Sequence, residues 1–154
     1  MKTKERLKAE LLAALEATLH SLERAHADTR EGATHAEAKP ENDKDTRALE
    51  ASYLARGQAM RIEELKLGLL AVKQLKLEAL EQVSLGALVE AEEDGEARTY
   101  FIAPEGGGTR LSKGVQVVTP KSPLGQALVG KRADDELELT LAGKTRQLTI
   151  RAVR

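Results

Sequence analysis

The chain has 154 residues, 32% of them charged, yet 24 Lys and Arg nearly cancel 25 Asp and Glu to leave a net charge of −1. Such a balance argues against general nucleic-acid binding, which draws on a marked positive excess, and the absence of cysteine excludes disulfides and thiolate zinc sites. Aromatic residues make up only 2%, with no Trp, which disfavours base-stacking platforms and large aromatic-lined pockets.

The chain is long enough for one domain or two small ones. Its start, MKTKERLKAELLAAL, is charged and helix-periodic and lacks a small-residue cleavage site. No apolar run approaches the roughly 20 residues that span a bilayer. The expectation is a cytoplasmic protein without membrane contact.

Residues 4–28 predict a first helix. Leu12, Leu15, Leu19 and Leu22 step by three, four and three, Leu7 and Leu11 widen the stripe, and good helix formers fill the other positions. Gly32 is the expected stop. A second helix is expected from Asn42 or Asp43 to about Leu80, with Asn42 as N-cap and Asp43 and Asp45 in the first turn. Its inward stripe is Ala48, Ala55, Ala59, Ile62, Leu65, Leu69 and Val72, small at one end and large at the other. Gly57 and Gly68 each cost ~1 kcal/mol against Ala in that pattern; close helix approach is one explanation for them. Between the helices, Glu31–Arg47 (EGATHAEAKPENDKDTR) reads as the tip of an antiparallel hairpin. It carries Glu37, Glu41, Asp43 and Asp45 with Pro40 and Asn42 among them.

After Leu80 the pattern changes. Alternation at Leu85–Ala91, Arg98–Ala103, Val115–Val118, Glu136–Leu141 and Gln147–Val153 predicts five short strands. Turn signals at Asp94-Gly95, Pro104–Gly108 and Ala142-Gly143-Lys144 separate them. Ser122–Leu128 reads as one short helix, with Ser122 as N-cap, Pro123 at its first position and Gly130 closing it. The fold class is therefore α+β: a coiled-coil hairpin over residues 1–82 and a small sheet domain over 83–154.

The plain readings of the polar residues come first. Asp43 and Asp45 complement a helix dipole, worth ~0.3–1 kcal/mol each. His20, His26 and His35 have no metal-like spacing. Arg56, Arg61, Lys66 and Lys73 alternate with Glu63, Glu64 and Glu78 as a solvated helix face does.

A hairpin with an acidic tip, followed by a domain containing SPLGQALVGKRADDELEL, resembles the bacterial Gre (GreA/GreB) transcript-cleavage factors. Ser122, Pro123, Leu124, Gly125, Ala127, Leu128, Gly130, Lys131, Asp135 and Glu136 stand in the places of that family's second domain, and EASYLARGQAMRIEELK looks like its second hairpin helix. At the tip, Glu41-Asn42 match the family's glutamate-asparagine pair, and the family aspartate's place falls on Ala38. Without gaps through Arg61, Asp43 takes the glutamate's place and Pro40 the aspartate's.

The resemblance implies an FKBP-like sheet domain that docks on the rim of the secondary channel of RNA polymerase, with Ser122, Pro123 and Leu124 at the contact. The hairpin then enters the channel. It implies no cofactor of the chain's own and no enzyme activity of its own: Glu41, Asp43 and Asp45 help the polymerase hold Mg²⁺, and backtracked RNA is cleaved, its 3′ end being met only indirectly. Mg²⁺ takes one or two carboxylates beside waters and phosphates, so such a tip is a sufficient part. The chain is expected to be a monomer. Alternatives from the same sequence are a non-cleaving, DksA-like secondary-channel regulator and a peptidyl-prolyl isomerase or chaperone-like module using Tyr100 and Phe101. A structural coiled-coil adaptor that uses the hairpin as a dimerisation surface is a third; an exposed apolar stripe on the outer side would mark it, where charge-rich outer faces are expected.

Overall fold

The computed structural model describes residues 2–37 and 42–154, with side chains described outside 33–45. Two compact units emerge: Leu15–Leu69, and Met1–Ala14 together with Leu70–Arg154. Residue 82 is thus where the sequence pattern changes, while compactness draws its lines within the helices.

Helix α1 runs Lys2–Glu37 and α2 runs Asn42–Lys73. The first helix passes straight through Gly32. A glycine stop works by adopting a left-handed backbone, and Gly32 has no positive φ; it is exposed, with open space where a Cβ would stand. In the unit Leu15–Leu69 the expected inward stripe is observed: Leu15, Ala48, Ile62, Leu65 and Leu69 are buried and Ala55 and Ala59 half-buried. Gly57 faces solvent with nothing within 4 Å of an added Cβ, so close helix approach does not explain it. None of the described helices is long and apolar enough to cross a membrane.

The second helix stops at Lys73 rather than Leu80. Leu75 stays buried, and Leu77 and Leu80 are half-buried, along a segment that is neither helix nor strand. Leucines separated by two and three residues suit either conformation, so periodicity alone did not separate them. The end of α2 is then satisfied from α1: Lys8 Nζ donates to Lys73 O and Leu75 O, both at 2.9 Å. One turn earlier, Lys4 Nζ donates to Glu78 O (2.7 Å) and Arg154 O (3.1 Å). Leu7 and Leu11 beside them are fully buried.

All five expected strands form: β1 Leu88–Glu93, β2 Glu96–Ile102, β3 Gln116–Val118, β4 Glu136–Leu141 and β5 Lys144–Val153. Their order is β3-β2-β1-β5-β4; only β2 and β3 run parallel. Two-residue turns with positive φ at both positions, Asp94-Gly95 and Ala142-Gly143, close the β1–β2 and β4–β5 hairpins as mirror-image turns should. The β1 strand starts later than the alternation suggested. Gly86 turns at φ +89°, and a Cβ there would meet Lys76 O at 2.5 Å. Helix α3, Pro123–Leu128, packs its Leu124 and Leu128 into a core shared with Val89, Ile102, Leu148 and Ile150.

Glutamates of β1 face arginines of β5 and of the residue after it: Glu92 pairs with Arg151 and Glu93 with Arg146, while Glu90 pairs with Arg154 just past the strand. The Glu93–Arg146 pair is bidentate, at 2.8 and 2.7 Å, with the Glu93 side chain only 12% exposed. The bond from Arg146 holds the Glu93 carboxyl below its ordinary range against the opposing effect of burial, aided by the charges of Arg146 and Arg98. A carboxylate lowered in the fold contributes stability above its unfolded pKa of roughly 4.3, and loses it as pH falls through the folded value. Glu93→Gln is therefore expected to cost about 1–3 kcal/mol at pH 7. In chemical denaturation at pH 7 and pH 3 the gap to the parent should narrow at the lower pH; an equal gap at both would refute the assignment.

Candidate functional site

Two places carry the functional expectations, the hairpin tip and the start of α3. At the tip, Glu41 lies outside the described residues, as do the side chains of Glu37, Asp43 and Asp45. The bounds of α2 put Asp43 and Asp45 in its first turn. Among the described residues no group of three or more His, Asp or Glu side chains is placed to hold a metal.

At α3 the three expected docking residues separate by role. Ser122 Oγ accepts from Gly125 N (3.0 Å) and donates to Thr119 O (2.8 Å), so its hydroxyl is committed to capping. Leu124 is buried in the core, and Pro123 is the exposed member. The turn is tightly fitted: a Cβ on Gly125 would lie 1.8 Å from Thr119 O. Beyond the helix, Gly130 at φ +89° donates to Val83 O and Gln82 donates to Gly130 O, both at 2.9 Å. The rigid outer surface so formed presents Lys121, Pro123, Gln126 and Val129.

Tyr100 and Phe101, the aromatic residues of the sheet domain, are 2% and 0% exposed. Burial pushes the Tyr100 hydroxyl up. Both rings are core, which leaves an isomerase-type pocket without its aromatic lining.

Between the helices of the Leu15–Leu69 unit lies an open crevice of about 310 Å³, lined by Glu23, His26, Arg30, Ile62, Glu63 and Lys66. His26 Nδ1 is buried there without a hydrogen-bond partner. The outer side of α2 differs from the solvated face expected. Leu49, Tyr53, Leu54, Met60 and Leu67 are all more than half exposed. Sequence reasoning missed this row, although Tyr53, Met60 and Leu67 repeat every seven residues, a spacing that keeps side chains on one helix face.

Residues 78–154, half of the chain, match the family model for the C-terminal region of the transcription elongation factors GreA/GreB. No curated protein is similar to the chain at a significant level. Among solved structures, the chain is similar to GreA factor homolog 1 (Gfh1) of Thermus thermophilus, with 20% identity, 93% of this chain and 94% of that one covered, and a TM-score of 0.41. Gfh1 of Thermus aquaticus gives 21% identity, 88% and 92% coverage and a TM-score of 0.43. A GreA/GreB factor from Nitrosomonas europaea gives 17%, 60% and 77%, and 0.37. On the match over residues 78–154, the protein belongs to the GreA/GreB family of transcription elongation factors.

Proposed function

We propose that this transcription elongation factor works at the secondary channel of RNA polymerase, the enzyme on which its family acts. The observation that carries the reading is family membership joined to two helices of 36 and 32 residues that flank an acid-rich segment. At ~1.5 Å per residue these helices are roughly 54 and 48 Å long, a reach that a small sheet domain has no packing need for. In this reading the sheet domain docks on the channel rim through the α3 surface. The arm delivers Glu41, Asp43 and Asp45 toward a Mg²⁺ held by the polymerase, and cleavage of backtracked RNA is stimulated. The chain is an accessory factor, and the catalytic ion belongs to the polymerase.

A second reading, regulation without cleavage, is favoured by one observation at the tip. The place of the family's aspartate falls on Ala38 or Pro40, and neither residue can bind a cation through its side chain. One assay separates the two readings: purified protein added to backtracked elongation complexes of its cognate polymerase. Under the first, the parent protein shortens the RNA, and the triple variant Glu41→Gln, Asp43→Asn, Asp45→Asn loses most of that activity while still binding. Binding without cleavage by the parent would establish the second reading. Full cleavage by the triple variant would remove the acids from the mechanism.

Docking has its own test. Pro123→Ala changes an exposed residue and should weaken polymerase pull-down with little change in melting temperature. Ser122→Ala removes a cap and should also cost about 1 kcal/mol of stability. Unchanged affinity in both variants would move the docking surface elsewhere.

A further inference from the structure

The described residues include nine large apolar side chains that are exposed, and five of them lie between Leu49 and Leu67 on α2. None lies on the described part of α1. Scattered exposed leucines need no explanation, but these are not scattered. At 100° per residue, Leu49, Tyr53, Met60 and Leu67 fall within one narrow stripe, roughly opposite the buried stripe of Ile62, Leu65 and Leu69. The helix is apolar along two faces, and in this unit one of them has no cover. Tyr53, Met60 and Leu67 are 60, 62 and 68% exposed.

Charges complete the pattern. Arg56 lies along the stripe with its guanidinium 5.8 Å from the Tyr53 ring centroid, close enough for a cation–π contact that keeps it beside the apolar row. Glu63 lies on the same flank, paired at 3.5 Å with the exposed Lys66. About Met60 the sequence is nearly self-complementary: Tyr53 and Leu67 stand seven residues to either side, while Arg56 stands four before and Glu63 three after.

We propose that this face binds a second copy of the chain, with the two α2 helices antiparallel about a two-fold axis beside Met60. In that arrangement residues equidistant from Met60 come level. Tyr53 of each copy meets Leu67 of the other, Met60 meets Met60, and Arg56 meets Glu63 on the same flank, twice. A two-fold interface must be complementary to itself, and this one is in both apolarity and charge. A parallel pairing would set Arg56 against Arg56 and Glu63 against Glu63, which like-charge repulsion disfavours. The row from Tyr53 to Leu67 is roughly 21 Å long, shorter than the contact a permanent dimer uses, so the association is weak and concentration-dependent, half-complete somewhere in the roughly 10 µM to 1 mM range.

The test is sedimentation equilibrium of the full chain over that concentration range, with circular dichroism confirming that each variant stays helical. The parent protein should shift from monomer to dimer. Met60→Glu places two carboxylates at the axis and should abolish the shift. Arg56→Glu and Glu63→Arg should each weaken association about tenfold, through two lost pairs and new repulsion. The double variant Arg56→Glu, Glu63→Arg restores the pairing with its signs reversed and should recover to near the parent. A parent protein monomeric throughout would overturn the proposal and leave the stripe to a different partner. So would a double variant no better than the singles, because a surface built for another protein gains nothing from a swap within itself.

Discussion

Lys4 sits on the apolar side of α1, in phase with Leu7 and Leu11, and is 4% exposed. Burial pushes its ammonium below the ordinary lysine range. A charge so placed persists only where hydrogen bonds replace the lost water. Here they come from the carbonyls of Glu78 and Arg154, one in the irregular segment after α2 and the other just past the end of β5. One side chain from the first turn of α1 therefore ties down three stretches distant in sequence. Lys8, four residues on, does the same for the carbonyl of Lys73, a helix-end acceptor with no partner within its own helix, and for that of Leu75 just beyond α2. Ser112 Oγ adds a bond to Glu10 at 3.0 Å. The base of α1 thus belongs to the same compact unit as the sheet, and not only to the hairpin.

That arrangement gives the rest of the chain its division of labour. The sheet domain has its central strands, β2, β1 and β5, paired on both sides, and its α3 corner is fixed by a capped serine and a glycine that no other residue can replace without moving Thr119. Such a corner suits docking because it does not have to order itself on binding. The helices beyond the base have only a narrow inward stripe and an outer face of mixed character. The small side chains of that stripe, Ala48, Ala55 and Ala59, lie toward the acidic end, where each buries less apolar area than the leucines nearer the base.

Much of this was legible in the residues. Every strand was marked by alternation, the β1–β2 and β4–β5 hairpins by Asp-Gly and Ala-Gly-Lys turn chemistry, and the cap at Ser122 was readable from the proline next to it. The failures share a cause: local patterns that fit two conformations. Gly32 looked like a helix stop, but glycine ends a helix only where the chain turns left-handed, and the residues beyond it decide whether it does. Leu75, Leu77 and Leu80 suited a continued helix while serving equally well in the irregular segment they occupy. Lys4 carries a signal of its own, a lysine in register with a leucine stripe. Its partners 74 and 150 residues away are set by topology and lay beyond any local reading. The strand order, with β5 inserted between β1 and β4, is likewise a long-range fact. The outer row of α2 was masked by the charges interleaved with it, which match a solvated face when read singly and a self-complementary one when read at seven-residue spacing.

Lys4 fastens the base of α1 to the end of the sheet, so the two should fold together. Hydrogen exchange on the full chain, with and without Lys4→Met, tests it most directly. Amides of residues 7–14 should share the protection of β1 and β5, while those of residues 15–32 and 46–69 open at lower free energy, each compact unit exchanging as its own cooperative segment. Lys4→Met leaves two carbonyls without their donor and should lower protection of residues 7–14 and of β5 together, by about 2–4 kcal/mol. If residues 7–14 instead exchange with residues 15–32, and the substitution leaves β5 untouched, the lysine is incidental and the helices fold as a unit apart from the sheet.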